Sequence, residues 1–373
     1  MKKCVVIGGG VVGLTTAWAL AERGHRVTLI EREAELGQGT SYANGGQLSY
    51  RYVSPLADAG VPMKALRWLF DPDGPLRFKL EPSWQQWSWL IAFLRACRGP
   101  VNRRTTARLL QLGAFSQQSF GRLHQAARLD DIDFREPGKL VVYRKESEFA
   151  RVAERVRAQG TAAERALDHD ECVALEASLD DGETRFAGGI FTEGEAVADC
   201  YKVCLTLAER LRVHGNFDGF VTAEVSGFET RNGRISALRT SSGEIACENL
   251  VLAAGLQSRA LGAKLGITLP IYPLKGYSLT APIEPGHRAP EVSVTDFERK
   301  TLYARIGKTL RVAAMADLVG ADLSLDPKRL DTLQRSVRET FPHAANYDRA
   351  QAWAGLRPAT PSGAPILGAT RYA

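Results

Sequence analysis

Gly8, Gly10 and Gly13 stand at the spacing GxGxxG, with Val11 and Val12 in the last gap, and an acid, Glu31, follows 18 residues beyond Gly13. Those residue types in that order suit the pyrophosphate and ribose of a dinucleotide. Gly8 permits a tight turn, Gly10 lets a phosphate approach the backbone, and Gly13 lets a helix pack against its sheet. The N–H groups and positive dipole end of that helix then face the anion. The Glu31 carboxylate can accept hydrogen bonds from ribose hydroxyls and would repel a 2′-phosphate, which disfavours NADP. Arg32 follows it at the same strand end.

Elements must hold these groups in place. Lys2–Ile7 is rich in β-branched residues and reads as a buried parallel strand. A helix-patterned stretch runs to Arg23, Gly24 stops it, and Arg26–Ile30 reads as a second strand. The glycines therefore lie between a strand and a helix, the context that separates a dinucleotide motif from a chance turn.

That loop alone does not separate NAD from FAD. The next segment does. Residues Gly37–Gly46 read GQGTSYANGG, where an NAD enzyme would usually enter another βα unit. Thr40, Ser41, Asn44, Gly45 and Gly46 offer the small residues and donors that a ribityl chain and a flavin ring need, so FAD is the predicted cofactor.

With the first motif, this loop resembles the family of FAD-dependent amino-acid and amine oxidoreductases that includes D-amino acid oxidase, glycine oxidase and sarcosine oxidase. Glu248–Gly255, an apolar strand closing on Ala253-Ala254-Gly255, is similar to the family's strand that brings backbone close to the flavin. Val221 lies where the family places a backbone contact to adenine, although an ordinary strand residue reads equally well from the residues alone. Tyr272–Leu279, Trp353–Pro358 and Gln47-Leu48-Ser49 leading to Ser54-Pro55 resemble the bacterial D-amino acid dehydrogenase small-subunit family in particular. The resemblance spans the whole chain.

The resemblance implies an α/β (α+β) chain: a Rossmann-like FAD-binding domain with an inserted substrate domain of helices and mixed sheet. The expected FAD-binding domain is 1–50, 190–260 and 335–373; the expected substrate domain is 51–189 and 261–334. Strands around 138–143, 271–279 and 301–315 should roof the flavin. The implied activity is oxidation of a D-amino acid to its imine by hydride transfer to FAD, then hydrolysis to a 2-oxo acid and ammonia. Arg357, the family's matching Gly-x-Arg-Pro arginine, would anchor the substrate carboxylate, which a guanidinium can grip through two parallel hydrogen bonds. Pro358 biases Arg357 toward extended backbone. Tyr277 and Tyr303 are further candidates for the pocket wall, each also readable as a core residue.

By the same resemblance, electrons pass to a respiratory quinone at the inner face of the cytoplasmic membrane. Glycine, sarcosine or a hydroxyproline isomer is the alternative substrate within the superfamily. The resemblance also implies a strand, a glycine- and histidine-bearing loop and a helix beyond Gly368–Tyr372, which this sequence does not contain. A truncated, non-catalytic flavin-binding remnant with an exposed sheet edge is the alternative of another class.

Bulk properties fit a two-domain globular protein. The chain has 373 residues, more than one core usually serves. A net charge of +6 is scattered over the sequence, and no motif points to nucleic acid. No stretch reaches the roughly 18–20 apolar residues that span a bilayer, and no signal-peptide pattern opens the chain. The residues therefore suggest a cytoplasmic protein. The segment holding Trp84, Trp87, Trp89, Leu90, Ile91, Phe93 and Leu94, followed by Arg95 and Arg98, reads as a core helix or as one lying at a lipid interface. The six cysteines, with Cys200 and Cys204 at i, i+4, read as reduced core residues. The six histidines fall in no metal or triad spacing, and no metal is expected.

Overall fold

The fold grows from the β-branched N-terminal run. The computed structural model describes residues 1–53, 57–58, 60–61, 74–183, 185–370 and 372. The chain opens with β1 (Lys3–Ile7), α1 (Val11–Glu22), β2 (Arg26–Glu31) and the short β3 (Gln47–Leu48). Next come α2 (Trp84–Ala96), α3 (Gly99–Ala126), β4 (Lys139–Tyr143), α4 (Glu146–Gln159), β5 (Glu164–Asp168), α5 (His169–Leu175) and β6 (Gly188–Thr192). Then β7 (Ala196–Val197), α6 (Cys200–Arg212), β8 (Phe217–Thr222), β9 (Val225–Arg231), β10 (Arg234–Thr240), β11 (Gly243–Ala246), β12 (Asn249–Leu252) and α7 (Gln257–Lys264) follow. The rest comprises β13 (Tyr272–Pro282), β14 (Ser293–Asp296), β15 (Thr301–Ile306), β16 (Thr309–Asp317), α8 (Pro327–Thr340) and β17 (Gln351–Ala359).

The first sheet is parallel, in the order β12-β1-β2-β8. Its unbroken apolar strands are covered on both faces, as parallel sheets require. On one face α1 and α6 bury Leu14, Ala17, Leu207 and Leu211 against Val6 and Leu29. On the other, the antiparallel β9-β10-β11 sheet and α7 bury Leu238 and Leu261 against Val5, Ile7 and Ile30. Asp199 caps α6, its carboxylate accepting from Tyr201 N and Lys202 N, which satisfies N–H groups that a helix start leaves without partners.

The second sheet has eight strands in the order β17-β13-β16-β15-β14-β4-β6-β5. It contains the strands expected around 138–143, 271–279 and 301–315. One of its faces is sealed by α8, whose Leu333 and Val337, with Phe341 just beyond, pack on Tyr277, Leu279, Tyr303 and Val312. Asp326 and Pro327 start that helix, the aspartate accepting from Lys328 N.

Two boundaries differ from expectation. The stretch 335–373 does not return to the parallel sheet: β17 pairs with β13 from Gln351↔Thr280 to Ala359↔Tyr272. Gly188–Thr192 likewise pairs with β4 in the large sheet. Neither segment's sequence says which sheet it joins, and strand pairing assigns both to the large one. Ser54-Pro55 lies outside the described residues. Among the described residues no helix is long and apolar enough to cross a membrane.

Candidate active site

β1 stands between β2 and β12, and the chain leaves it toward opposite sides. Such a reversal opens a crevice above the carboxyl ends of the strands. Gly8 lies in that crevice at φ +113, and a Cβ there would stand 2.5 Å from the Ala253 carbonyl oxygen. A Cβ on Gly13 would run into the Gly8 carbonyl, so α1 and β1 meet backbone to backbone. Gly10 caps α1 without a side chain. Val12, one turn residue later, is 60% exposed. Among the described residues one side chain reaches this helix start: Ser41 Oγ accepts from Val11 N at 3.1 Å.

Glu31 is pinned across the mouth of the loop. Its Oε2 accepts from Gly9 N at 2.5 Å, and its Oε1 accepts from Arg32 N at 2.8 Å and Glu33 N at 3.1 Å. A carboxylate has roughly four acceptor sites, so about one stays open to a ribose hydroxyl. The Arg32 side chain pairs with Glu33 at 3.0 Å on the surface. Val221 lies one residue from the end of β8 beside Ile30, and Ala253-Ala254 follow β12 against Gly8, with Gly255 next in the chain. A helix start met by one small hydroxyl, a fixed acid and close backbone at the strand ends together fit the phosphates and ribose of FAD.

Residues 40–46 carry the chain from this crevice onto the large sheet. Thr40 Oγ1 donates to Leu356 O at 2.7 Å, Ser278 Oγ to Ala43 O at 2.7 Å, and Arg311 Nη1 to Asn44 O at 2.6 Å. Asn44 closes its own turn, Oδ1 accepting from Gly46 N at 3.0 Å. A Cβ on Gly45 would stand 2.7 Å from Leu302 Cδ2, and one on Gly46, at φ +62, would strike Ile306. The loop was expected to present hydroxyls. Thr40 and Ser41 each meet a protein partner, but Ser41 Oγ accepts there and keeps its O–H as a donor.

These contacts fix which face of the large sheet is which. Side chains alternate along a strand, so Gly276 and Ser278 face the loop while Lys275 and Tyr277 face α8. Tyr277 is 2% exposed within the α8 core. Tyr303 is fully buried, its hydroxyl 3.3 Å from Thr340 Oγ1 and its ring edge-on to Phe341. Neither tyrosine lines a pocket on the cofactor side. Sequence position placed them near the site, and the two-residue period turns them away from it.

Arg357 does face that side. It crosses Gly276, where an added Cβ would stand 2.6 Å from Nη2. Its Nη1 donates to Met315 O at 3.1 Å, a carbonyl turned outward where β16 breaks register and Met315 takes φ +71. Arg357 is exposed, yet desolvation by the protein around it lowers its pKa, against an opposing pull from Asp317. Trp353 shares this face, its indole covering Gly355.

Three groups escaped the sequence. Trp353 is the apolar neighbour of Arg357. Arg311 is 6% exposed, with Nε unpartnered and Asp199 no closer than 3.8 Å. Lys139 is 3% exposed, donates to Gln47 Oε1 at 2.7 Å and Ser49 Oγ at 3.3 Å, and sits 4.0 Å over the Tyr52 ring. Burial lowers its pKa to about 8. A charged residue inside an apolar strand, as in Leu310-Arg311-Val312, was the available signal. A separate cleft of about 510 Å³ beside Arg144, His169 and Arg185 opens on the α8 side and is not part of this site. No grouping of His, Cys, Asp and Glu among the described residues could hold a metal ion.

Known proteins resemble this chain in sequence and in fold. The chain is 46% identical to D-amino acid dehydrogenase 2 of Pseudomonas aeruginosa, covering 100% of this chain and 88% of that protein. It is 43% identical to D-amino acid dehydrogenase 2 of Ralstonia nicotianae, covering 97% and 88%. Among solved structures, glycine oxidase from Bacillus cereus superposes with a TM-score of 0.73 at 20% identity, over 98% of this chain and 85% of that one. L-proline dehydrogenase from P. horikoshii gives a TM-score of 0.69 at 19% identity, over 99% and 84%. These two likenesses speak to fold. The profile described as FAD dependent oxidoreductase matches residues 3–372, and the chain belongs to that family.

Proposed function

We propose that this protein oxidises D-amino acids to 2-oxo acids and ammonia. The observation that carries the reading is Arg357: an exposed guanidinium on the sheet face that meets the 40–46 loop, with Nη1 held by Met315 O and the Trp353 indole on the same face. The names of the relatives that are 46% and 43% identical support the substrate class.

The groups that would hold FAD are the start of α1, with Gly8, Gly10, Val11, Val12 and Gly13, then Glu31, Val221, the backbone of 44–46 and Ala254-Gly255. When bound, FAD supplies a two-electron acceptor for the substrate's α-hydrogen. The chain's own groups bind and orient. Arg357 takes the carboxylate bidentately, which leaves the Cα substituents only two arrangements against the cleft. Trp353 gives the side chain an apolar wall and excludes water near the reacting carbon. No side chain on this face need act as a strong base, because the amine arrives neutral and the Cα–H electrons leave with the hydrogen. Water then hydrolyses the released imine.

The finer reading adds a membrane-bound acceptor, a respiratory quinone reached at the inner membrane face. Trp84, Trp87, Ile91 and Leu94 of α2 are 80%, 46%, 43% and 53% exposed. Their spacing of three, four and three puts them on one stripe. The opposite side of α2 is core: Trp89 stacks on Phe93, and its Nε1 donates to Ala359 O, two residues from Arg357. Exposed Arg95, Arg98, Arg103 and Arg104 adjoin the stripe. An apolar stripe beside a cationic edge suits an anionic lipid surface.

The substrate class is tested by assaying D-alanine, L-alanine, glycine, sarcosine and a hydroxyproline isomer with an artificial dye as acceptor. Pyruvate and ammonia from D-alanine in equal amounts are expected. Turnover of sarcosine without turnover of D-alanine would overturn the reading.

A further inference from the structure

Arg357 reaches its place across three strands. It stands on β17 opposite Leu274 of β13, and its side chain runs diagonally over Gly276. An added Cβ there would stand 2.6 Å from Nη2 and 3.0 Å from Cζ, so a side chain at 276 would claim the space that the guanidinium fills. Beyond Gly276, Nη1 donates to Met315 O of β16 at 3.1 Å. That end of the reach is irregular. β16 meets β13 at Ala314↔Tyr277 and at Asp317↔Lys275, so Met315 and Ala316 share Gly276 as their only opposite residue. A bulge of this kind bends its strand and interrupts the ladder. Met315 takes φ +71, a left-handed conformation that a bulky residue rarely adopts, while its side chain stays buried in the α8 core.

We propose that Gly276 and Met315 are positioning residues for the substrate's carboxylate anchor: bare backbone at 276 lets the Arg357 guanidinium lie over the sheet, and the bulge at 315 presents the carbonyl that holds it in one orientation. A guanidinium carries five N–H donors in one fixed plane, so holding Nη1 fixes where the remaining donors point. The substrate carboxylate then meets a fork already aligned, and binding need not order a long side chain.

The surroundings hold the bulge in place from outside the site. Just past it, Ala316 N donates to Pro75 O at 2.9 Å and Leu318 N to Arg77 O at 2.8 Å. Asp317 is 1% exposed and accepts from Arg77 N at 3.2 Å and from Arg329 Nε at 3.1 Å, with Arg329 Nη2 on the carboxylate as well. Arg329 Nη1 donates to Gly74 O at 2.7 Å. This buried bidentate pair bolts the end of β16 to α8 and to residues 74–77. A left-handed residue persists where its neighbours over-determine it, and such residues cluster at binding sites.

The inference rests on Arg357 as the substrate anchor, and its test separates the two. Gly276→Ala, Met315→Val, Met315→Gly and Arg357→Ala are compared as FAD-loaded proteins, with kcat and KM for D-alanine measured by dye reduction beside denaturant unfolding. Gly276→Ala should raise KM about 10-fold with kcat within about threefold, because the added methyl displaces only the far end of Arg357. In an Arg357→Ala background the same change should add less than about twofold, since the two act through one group. Met315→Val should raise KM about 10-fold, because a β-branched residue resists positive φ. Met315→Gly should keep KM within about threefold, because glycine accepts that φ, although it loses more buried volume and unfolds at lower denaturant. A merely structural role would give the opposite order of KM. If Met315→Gly does not fold, Gly276→Ala alone and with Arg357→Ala decides. KM unchanged in Gly276→Ala while Arg357→Ala raises it, or effects at 276 and 357 that add in full, would overturn the proposal. KM unchanged in Arg357→Ala would instead contradict the anchor itself.

Discussion

At the residue scale the site is decided by which way side chains point. Tyr303 and Arg357 both belong to the large sheet, yet only Arg357 faces the cofactor loop. Tyr303→Phe should therefore leave the kinetics unchanged and lower stability by about 1 kcal/mol, the worth of one ordinary hydrogen bond. Denaturant unfolding and steady-state kinetics on one preparation check both halves. Lys139 behaves differently because its charge is buried. Its folded pKa of about 8 lies below the ordinary lysine value of 10.5, so between those pH values the unfolded chain holds a proton that the folded chain lacks. Stability must then rise with pH across that window, by up to about 3 kcal/mol. Thermal unfolding from pH 7 to 10.5 should show this rise, and Lys139→Met should flatten it. The glycines and Glu31 were legible because their spacing is itself the mechanism. Arg311 and Lys139 were not, since their roles come from partners more than 80 residues away in sequence, and Trp353 was not, since only the pairing of β17 with β13 sets which face it takes.

At the element scale the opening βαβ unit was readable residue by residue. The two-residue alternation of β13 was present in the sequence too, but nothing there said which face met the cofactor. That came from Ser278 bonding Ala43 and from Leu302 and Ile306 closing on Gly45 and Gly46. The fate of residues 351–359 was hidden for a similar reason: Pro358 marks an edge strand without saying of which sheet. α2 has Trp89 in the core and Trp84 and Trp87 exposed. The lipid role proposed for it predicts a measurable split. Trp84→Ser, Trp87→Ser and Ile91→Ser combined should cut co-sedimentation with anionic phospholipid vesicles at least 10-fold, leaving dye-coupled activity intact. Undiminished binding to vesicles would remove α2 from the interface.

At the scale of the whole molecule, function arises where two sheets meet. The parallel sheet offers the strand ends and helix start that hold a dinucleotide, and the large sheet presents Arg357 and Trp353 over the loop that joins them. Neither sheet alone contains both the proposed cofactor seat and the proposed substrate anchor. Family and cofactor were legible from the sequence because local motifs carry them. The substrate wall was only partly so, because it is built from the pairing of β13, β16 and β17.

The most direct test of this arrangement is rapid mixing, without oxygen, of FAD-loaded protein with D-alanine, following loss of the visible flavin absorbance. D-alanine but not L-alanine should bleach the flavin. In Arg357→Ala, which should keep its FAD, the substrate concentration needed should rise about 100-fold, as for loss of a charged hydrogen-bond pair worth ~3 kcal/mol. An Arg357→Ala protein reduced at the same D-alanine concentrations as the unaltered one would contradict the account.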